Sequence, residues 1–563
     1  MFAKVFLEQN PSATLVILDS AQSIGGVWAT ERLYPGLKTN NMLGTYEYPD
    51  FPMDEKTFGV KPGEFIPGPV VHRYLDAFAE RFNLKHRIQF GTKVVSAIKG
   101  VDGWELCLSA EGLESPRLTA QKLVLATGNT SEPQLPAFPG AETFTAPMFH
   151  VKDLAARIDT IPSPREIVVI GGTKSAWDAA HAFAHVDGNQ TVHMVIRQSG
   201  HGPIWMAPPR VTPFNLWLEK LVHTRLLTLF SPCIWGLHDG FVKSRNFLHG
   251  TAFGRWIVNA FWHVLADDVR KLNGYDQHHE TSQLQPWSNP MFLGSGLSIL
   301  NYPKDRDFFS LVRNKKIQVH IADVVSMNGD TIHLSNGEKL VSDAVVCSTG
   351  WKHRPPLKLS PGSDAYYGLP HATTSSAPDE LLQTVDKEIL TTFPRLRDQP
   401  VQNPRMTPMP VEEHDSSAPS NLNAPYKLYK FMVPPSTIGD RSLGFVGVPS
   451  TISTSIIASI QALWLTAYFS GELAMPVDKH AVEYEATLHS RFGYWRYPAG
   501  HGAQYPDFVF DALPYCDMLL QQLGLESHRK GTVLKELFYP YGPEDYRNLV
   551  DEWRGRSGKE KTA

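Results

Sequence analysis

Apolar and polar positions at the start of the chain first follow the spacing of a helix and then that of a strand. Residues 1–9, MFAKVFLEQ, have the spacing of an amphipathic helix, which Asn10 and Pro11 end. Residues 14–18, TLVIL, are typical of a short buried strand, and Asp19 follows directly. This order of helix, strand and acidic residue is typical of the second half of a dinucleotide-binding βαβ unit, in which the acid binds an adenosine ribose.

The pattern predicts further elements before residue 150. They are a helix over 70–82, strands at 93–98 and 104–109 joined by a turn at Asp102 and Gly103, and a buried strand within 122–128. The last strand ends on Thr127 and Gly128, which are small residues where a chain can pass close to a cofactor. A later strand ends in the same way, in VVCSTG, so we expect two nucleotides on one scaffold.

A complete βαβ start follows in the segment EIVVIGGTKSAWDAAHAFAHV. Residues 167–170 form its strand, and the turn after them fits the pattern G-x-[GST]-x-x-[AG]. Gly171 permits the tight turn, Thr173 lets the backbone approach a diphosphate, and Ala176 lets the helix pack closely on the strand. This strand, turn and helix therefore predict a second dinucleotide site.

Two further features specify that site. Lys174 and Ser175 lie at the N-terminus of the helix, whose partial positive charge favours phosphate. The next strand, TVHMVIR, ends on Arg197, where the 2′-phosphate of NADP would lie and could accept charge-assisted hydrogen bonds. The alternative for Arg197 is an ordinary surface position on an α/β domain.

The remaining pattern divides the chain into parts. An aromatic, helical stretch covers about 202–302, strand signals resume between 316 and 351, and residues 357–424 are rich in Pro and Ser with weak periodicity, which indicates a long loop or insertion. We expect four parts, whose limits are 1–160, 161–335, 336–478 and 479–563.

Composition and charge exclude several classes of function. The 53 basic and 57 acidic residues nearly cancel, at a net charge of −4, so no nucleic-acid partner is implied. The four cysteines are widely scattered without a CxxC pair, so we expect no metal site and no dithiol chemistry. The 13 Trp and 29 Phe suit a large core as well as an apolar substrate cavity.

The N-terminus and two apolar stretches bear on localisation. The first residues lack the features of a signal peptide, so we expect a cytoplasmic protein. Residues 442–471 carry no charge, but their Ser and Thr content, Gln461 and Pro449 favour a buried helix over a membrane span. Residues 214–262 read as amphipathic helices, which leaves peripheral contact with a membrane open.

These motifs, taken in order, resemble those of flavin-containing monooxygenases, the class B flavoprotein monooxygenases, and especially their fungal members. LDSAQSIGGVW is similar to the family segment that places Asp19 on the FAD ribose, with Gly26 and Trp28 beside the flavin. GLKTN followed by PDFPM resembles the segment whose asparagine, here Asn40, lies at the reactive face of the flavin. FVGVPSTIS resembles the segment that closes over the flavin, and the resemblance adds the strand around Val94 to the FAD site.

One family fingerprint is only partly matched. The segment FTAPMFHVKDL resembles F-x-G-x-x-x-H-x-x-x-[YF], with Phe144 and His150 in place. Ala146 replaces the glycine, and Leu154 replaces the terminal aromatic residue. The subclass, N- or S-oxygenating or Baeyer–Villiger, therefore stays open, and we expect His150 to be structural.

The resemblance implies a fold and a reaction. The fold is α/β, with two Rossmann-like dinucleotide-binding domains in which an inserted NADPH domain interrupts the FAD domain, plus a helical, aromatic insertion and a C-terminal extension. In the reaction, NADPH reduces FAD and a C4a-hydroperoxyflavin transfers one oxygen atom from O2 to a small organic metabolite, in fungal secondary metabolism. Asn40 would act beside the flavin; the alternative is a turn-forming asparagine. The oligomeric state and the substrate are not indicated.

The chief departure from the family lies at the start. Family members carry a first GxGxxG before the residues that match MFAKVFLEQNP, and this sequence has none. We expect a reading frame that begins downstream of the true start, because a βαβ unit without its first strand exposes the apolar edges of its neighbours. The chain as given should then retain FAD weakly. The rival hypotheses are a Baeyer–Villiger enzyme acting on a ketone and a non-catalytic NADP-binding protein.

Overall fold

The computed structural model describes most of the chain. The described residues are 1–109, 116–161, 164–185, 190–212, 214–288, 296–372, 380–399, 403–407, 409, 424–497, 502 and 505–560. Parts of the segments predicted as the Pro- and Ser-rich loop and as the C-terminal extension lie outside these ranges.

The described chain forms a mixed α/β structure. Its strands are β1 Ile17–Leu18, β2 Lys38–Met42, β3 Phe65–Pro67, β4 Ile88–Gln89, β5 Lys93–Lys99, β6 Trp104–Ser109, β7 Arg117–Ala120, β8 Leu123–Leu125, β9 Glu132–Pro133, β10 Met148–His150, β11 Glu166–Ile170, β12 Thr191–Ile196, β13 Trp205–Ala207, β14 Arg210–Val211, β15 Leu216–Trp217, β16 Leu297–Ile299, β17 Ile317–Ile321, β18 Val324–Asn328, β19 Thr331–Leu334, β20 Lys339–Val341, β21 Ala344–Cys347, β22 Trp351–Lys352, β23 Lys358–Ser360 and β24 Leu443–Phe445. Its helices are α1 Phe2–Gln9, α2 Glu55–Phe58, α3 Gly68–Arg81, α4 Leu154–Arg157, α5 Lys174–Ala184, α6 Leu218–Val222, α7 Arg225–Leu229, α8 Val242–Gly250, α9 Ala252–Asn273, α10 His279–Ser282, α11 Phe308–Arg313, α12 Glu380–Thr392, α13 Thr454–Ser470, α14 Lys479–Arg496, α15 Ala512–Gln522, α16 Val533–Phe538 and α17 Leu549–Glu560.

The largest sheet is parallel throughout, with the order β10-β21-β11-β12-β17. Its central strand, β11, is apolar on both faces. Ile167 and Val169 pack into one core, and Val168 and Ile170 pack into another. This burial on both sides explains why the strand reads as an unbroken run of aliphatic residues. Helix α5 crosses one face, where Trp177 is fully buried.

This sheet extends past the limits predicted for the second part of the chain. Strand β10, at 148–150, lies before the expected start at 161, and β21, at 344–347, lies after the expected end at 335. Both strands add to the sheet by parallel pairing, with Val168 opposite Val345. Sequence pattern alone does not show which sheet a strand joins, so the limits differ from the structure at both ends.

The strands of the other predicted dinucleotide region form two separate pairs. Strand β1 pairs in parallel with β4, and β8 pairs in parallel with β24. Within the described residues, neither pair is hydrogen-bonded to a further strand. A four-stranded sheet, β23-β5-β6-β7, packs beside them, and its β5–β6 connection contains the turn predicted at Asp102 and Gly103.

The stretch 202–302 is mostly helical, as predicted. Helix α9 is its longest element; the Thr251 side chain accepts a hydrogen bond from the Gly254 amide at its N-terminus, and Gly274, with φ +62°, ends it. The buried face of α9 shares one core with α13 and with the C-terminal helices. The insertion and the C-terminal extension therefore share a core with the part of the chain that follows β24.

The segment 357–424 is not simply a loop. It contains helix α12, which buries Val385 and Ile389 and packs against α14. Asp386 on α12 forms an ion pair with Arg491 on α14 at 2.6 Å. Leu381, Leu382 and Leu390 add to the helical spacing of these two residues, so a helical pattern is present within the Pro- and Ser-rich segment.

Helix α13 occupies the apolar stretch near residue 460 and is buried on nearly all sides. Gln461 within it donates from Nε2 to the Tyr515 hydroxyl at 2.9 Å. In the part of the chain that the structure describes, no helix combines the length and the apolar character needed to cross a membrane.

Candidate cofactor sites

The first candidate site lies at the carboxyl ends of β8 and β24. Parallel pairing brings these ends to one edge, and the Val446 amide donates to the Leu125 carbonyl at 3.0 Å. Just beyond, Asn129 Nδ2 donates to the Val448 carbonyl at 2.8 Å. The segment after Leu125 and the segment predicted to close over a flavin are therefore joined, at the edge where α/β sheets bind ligands.

Four glycines, two at this edge and two on other segments predicted to pass close to a cofactor, leave open space beside the backbone. Gly26, Gly128, Gly350 and Gly447 have φ values of +61°, +64°, +93° and +74°. At each of them, no described atom lies within 4 Å of the position that a Cβ would take. A bound group could therefore approach the main chain closely at all four positions, which is what a dinucleotide requires.

Asp19 follows β1 as predicted and is half-buried. Its Oδ1 accepts a hydrogen bond from the Ala21 amide at 2.9 Å, and its own amide donates to the Gln89 carbonyl at 3.0 Å. The structure gives Oδ2 no partner among the described residues, so this oxygen is available to a ribose hydroxyl. Val94, by contrast, packs with Leu18 against an apolar core, so its side chain contributes to packing and not to the opening itself.

The turn around Trp28 is held tightly. Gly25 has φ +123°, and a Cβ there would lie 2.9 Å from the Trp28 carbonyl carbon. The Trp28 ring is half-buried and meets Tyr46 edge-on at 6.4 Å. The sequence therefore builds a fixed turn that presents an aromatic ring next to the open backbone of Gly26.

His150 joins the two candidate sites through backbone contacts. Its Nδ1 accepts from the Lys152 amide at 3.1 Å, so its Nε2 donates to the Gly350 carbonyl at 3.0 Å. Burial lowers the pKa of His150 to about 4. The imidazole is therefore neutral with both ring nitrogens used, in agreement with the structural role that we predicted.

Asn40 lies in β2 with an exposed side chain. Its neighbours Thr39 and Met42 are buried, so the strand fixes the backbone while the amide projects outward. Among the described residues, no hydrogen bond to the Asn40 side chain occurs. Its amide is therefore available to a bound group.

The second candidate site lies at the carboxyl ends of β11, β12 and β21. Here the glycines are packed against protein: a Cβ on Gly171, where φ is +145°, would lie 2.5 Å from the Ser348 carbonyl oxygen. A Cβ on Gly172 would lie 3.1 Å from the Gly202 carbonyl oxygen. Ala176 is buried against Gly171, which confirms the close contact of helix and strand that the motif predicts.

The N-terminus of α5 lies at this site and presents backbone amides that could bind an anion. Thr173 is the residue before the helix, and its side chain makes no capping hydrogen bond. Within the described part of the chain, the backbone amides of Lys174 and Ser175 have no acceptor, so both can donate to an anion. These amides fit the diphosphate role that the turn predicts.

Arg197 follows β12, at the same edge as this helix N-terminus. Its Nη1 donates to the Thr407 carbonyl at 3.3 Å and lies 3.5 Å from the Ser199 hydroxyl. Asn403 Nδ2 donates to the Gln198 carbonyl at 2.6 Å, so the segment 403–407 covers the Arg197 turn. The guanidinium is half-buried and keeps donors free for a phosphate.

The Lys174 side chain does not point its charge at this opening. Its ammonium pairs with Asp178 one turn along the helix and lies 4.8 Å from the centre of the Tyr302 ring. The Tyr302 hydroxyl donates to Asp178 at 2.9 Å. Burial lowers the pKa of Lys174, against the opposing effect of Asp178. Only the backbone of Lys174 is placed as the sequence predicts.

The sequence did not indicate two residues from the insertion that contact β2. They are Glu219 on α6 and Asn301 after β16, and both are buried. An acidic residue inside an apolar stretch, LWLEKLV, was the available signal, but without the fold it reads as one turn of an amphipathic helix.

A narrow aromatic cavity lies between the insertion and the C-terminal extension. Its lining includes Trp235, Phe431, His489, Phe492 and Phe508. The Phe508 amide donates to the Ser450 carbonyl at 2.7 Å, which joins the cavity wall to the segment after β24.

Comparison with known proteins gives consistent matches. Residues 14–232 match the family described as flavin-binding monooxygenase-like. An FAD-dependent monooxygenase from Pyrenophora dematioidea is 33% identical over 95% of this chain and 97% of its own length. An FAD-dependent monooxygenase from Aspergillus sclerotiorum is 32% identical over 98% of this chain and 95% of its own length.

Solved structures share the fold. The closed form of cyclohexanone monooxygenase aligns with a TM-score of 0.56 at 15% identity, over 92% of this chain and 94% of its own. Oxidized steroid monooxygenase bound to NADP aligns with a TM-score of 0.56 at 16% identity, over 93% and 96%. The α/β fold predicted from the sequence is thereby confirmed.

Proposed function

This chain belongs to the flavin-binding monooxygenase-like family, and from that premise we propose that it is an FAD- and NADPH-dependent monooxygenase acting on a small organic metabolite. The full-length relatives named above are fungal and are called FAD-dependent monooxygenases, which favours a substrate in fungal secondary metabolism. The single observation that carries the proposal is the presence of two strand-end openings with different chemistry in one chain.

The first opening fits FAD. Asp19 offers a carboxylate oxygen to a ribose, and the backbone at Gly26, Gly128 and Gly447 is open to a close approach. Trp28 stands beside this opening on a fixed turn. Thr127, ahead of Gly128, keeps a half-buried position at the same strand end, where a large side chain would narrow the opening.

The second opening fits NADPH. The amides of Lys174 and Ser175 face outward at the N-terminus of α5 and would receive the diphosphate. Arg197 at the end of the neighbouring strand would receive the 2′-phosphate. Thr173 has a small side chain, so the backbone there can approach a phosphate.

The protein residues position and shield the reactants. When bound, the cofactors supply two electrons and the activation of O2, so that NADPH, a proton, O2 and the substrate yield NADP⁺, water and the oxygenated product. The exposed Asn40 amide can donate or accept one hydrogen bond at the flavin. The closing segment after β24 excludes water, which limits loss of the oxidising equivalents as peroxide.

The proposal is tested with the purified chain. We expect the fluorescence of added FAD to change on binding, at micromolar or weaker affinity, and NADPH oxidation that consumes O2 when FAD is in excess. Incubation with a methyl aryl sulfide, a tertiary amine and a cyclic ketone under ¹⁸O2 should label the product of one class with a single ¹⁸O. A labelled lactone would assign Baeyer–Villiger chemistry. Binding of NADPH without any flavin binding or O2 consumption would contradict the proposal and support the non-catalytic alternative.

A further inference from the structure

Strand β2 is held on both sides of Asn40 by side chains from the inserted segment. On one side, Asn301 Nδ2 donates to the Thr39 carbonyl at 3.0 Å and lies 3.4 Å from the Lys38 carbonyl. On the other side, Glu219 Oε2 accepts from the Met42 amide at 3.1 Å. We call Glu219 and Asn301 the β2 clamp.

Glu219 gathers further donors around its carboxyl group. Trp217 Nε1 donates to Oε2 at 3.3 Å, and Asn41 Nδ2 and the Thr45 hydroxyl contact Oε1. Asn41 Nδ2 also donates to the Ile452 carbonyl at 2.8 Å, in the segment before α13. One buried carboxyl group therefore connects the insertion, the strand of Asn40 and the segment predicted to close over the flavin.

The hydrogen bonds around Glu219 can form whether its carboxyl group is ionised or protonated. The Thr45 hydroxyl lies 2.9 Å from the Met42 carbonyl as well as beside Glu219. When Glu219 is ionised, Thr45 can donate to it; when Glu219 is protonated on Oε1, the acid can donate to Thr45, which then donates to Met42. Burial raises the pKa of Glu219 to about 7.

Other titratable groups lie on the elements packed around Glu219. They are Lys220 on α6, His223 directly after α6, Lys38 on β2, Glu47 in the turn after β2, Arg210 on β14 and Arg225 on α7. His223 is buried, which lowers its pKa to about 4, so it stays neutral between pH 6 and 8. Arg225 is paired with Asp517 and Glu536.

We propose that Glu219 is a positioning residue, which clamps β2 from the inserted segment and so holds Asn40 at the reaction site. This inference rests on the proposed function for the role of Asn40, but the clamp itself can be tested without cofactor or activity. The carboxyl group prefers its neutral form in the closed clamp and its charged form when β2 opens to solvent. The clamp is therefore tightest at low pH and loosens as pH rises to about 7.

Hydrogen exchange of the peptide 38–46 measures the clamp directly. After correction for intrinsic exchange, protection in the wild type should fall about tenfold from pH 6 to pH 8. The reason is that the pKa of the Glu219 carboxyl group is 4.5 when β2 is open to solvent and about 7 when the clamp is closed. Glu219→Gln cannot titrate, so its protection should change less than about twofold over the same range. Equal pH profiles in the two proteins would overturn the proposal.

Two more variants separate the clamp from general loosening. Glu64→Gln changes an exposed glutamate next to β2 and should keep the wild-type profile. Asn301→Ala should lower protection at all pH values by a constant factor, because it removes the other contact without removing the titrating group. If Glu64→Gln also lost the pH dependence of protection seen in the wild type, a specific role of Glu219 would be contradicted.

The link to the reaction has its own readout. With FAD and NADPH, the peroxide released per NADPH oxidised should rise several-fold from pH 6 to 8 in the wild type and stay constant in Glu219→Gln. A clamp confirmed by exchange with no change in peroxide release would refute its role toward Asn40. A protein that oxidises no NADPH would refute the proposed function, and the exchange comparison would still decide the clamp.

Discussion

The two regions that the sequence marks for nucleotides are built in different ways. One contains a continuous five-stranded parallel sheet, and the turn glycine Gly171 is closed in by the Ser348 carbonyl. The other has its strands in two separate pairs, and Gly128 and Gly447 stand beside open space. At Gly171 both the backbone conformation and the packing require glycine, whereas at Gly128 and Gly447 only the backbone conformation does, and we propose that FAD occupies the space beside them. Substitutions should separate these two demands.

The largest expected effect is on stability, and it compares two glycines. Gly171→Ala combines positive φ with a contact of 2.5 Å to backbone, so it should lower the free energy of unfolding by about 3 kcal/mol. Gly128→Ala meets only the strain of a left-handed conformation, at a cost of about 1 kcal/mol. Urea unfolding of the protein without cofactors measures both. Equal losses of unfolding free energy would show that the region around Gly128 is packed as tightly as the region around Gly171.

The next effect is on binding and should separate the two cofactors. Arg197→Ala should weaken NADPH by about 1.5–3 kcal/mol, because the 2′-phosphate loses a charged hydrogen-bonding partner. NADH, which lacks that phosphate, should be affected little. Titration followed by protein fluorescence gives both affinities, and the same loss for NADPH and NADH would mean that Arg197 does not contact the 2′-phosphate.

Asp19→Ala is the matching change in the other region. It should weaken FAD by about 1–2 kcal/mol, as a charged hydrogen bond to the ribose is lost, and should leave NADPH affinity unchanged. Titration of FAD with protein, followed by flavin fluorescence, provides the measurement. A variant that loses NADPH instead would reverse the assignment of the two openings.

A smaller effect concerns His150, at the junction of the two regions. Its pKa is lowered from 6.5 to about 4, so the unfolded state binds more protons between these values. Stability contributed by a neutral His150 is therefore present above pH 6.5 and is lost as pH falls toward 4, by about 2 kcal/mol between pH 7 and pH 5. His150→Gln should reduce this acid sensitivity in thermal unfolding between pH 7 and 5. An unchanged slope would show that other histidines, such as His181, dominate.

The contrast also explains what the sequence could predict. The turn from Gly171 to Ala176 and the strand end at Arg197 are close in sequence, so their spacing alone indicates a site. The other opening is assembled from Asp19, Gly128 and Gly447, which lie far apart along the chain. Each of these segments gives only a weak local signal, and only the family resemblance joined them into one site.

Contacts between distant segments were the part that sequence patterns could not supply. Glu219 reads as a polar position on an amphipathic helix, and its role depends on a strand some 180 residues earlier. Helix α12 carries a local helical pattern, but the packing of Val385 and Ile389 against α14 lies outside that pattern. Both cases depend on tertiary burial, which local periodicity does not contain.

The smallest expected effect tests whether the motif or the structure describes Lys174 better. The sequence predicts that Lys174 takes part in cofactor binding, and the structure engages its ammonium with Asp178 and Tyr302. Lys174→Met keeps the backbone amide that faces the opening, so NADPH affinity should change less than twofold, or about 0.4 kcal/mol. Ser175→Pro, which removes a backbone donor at the same turn, is the contrasting variant and should weaken NADPH by about 1 kcal/mol. A tenfold loss in Lys174→Met would mean that the lysine leaves Asp178 and turns to the phosphates when the cofactor binds.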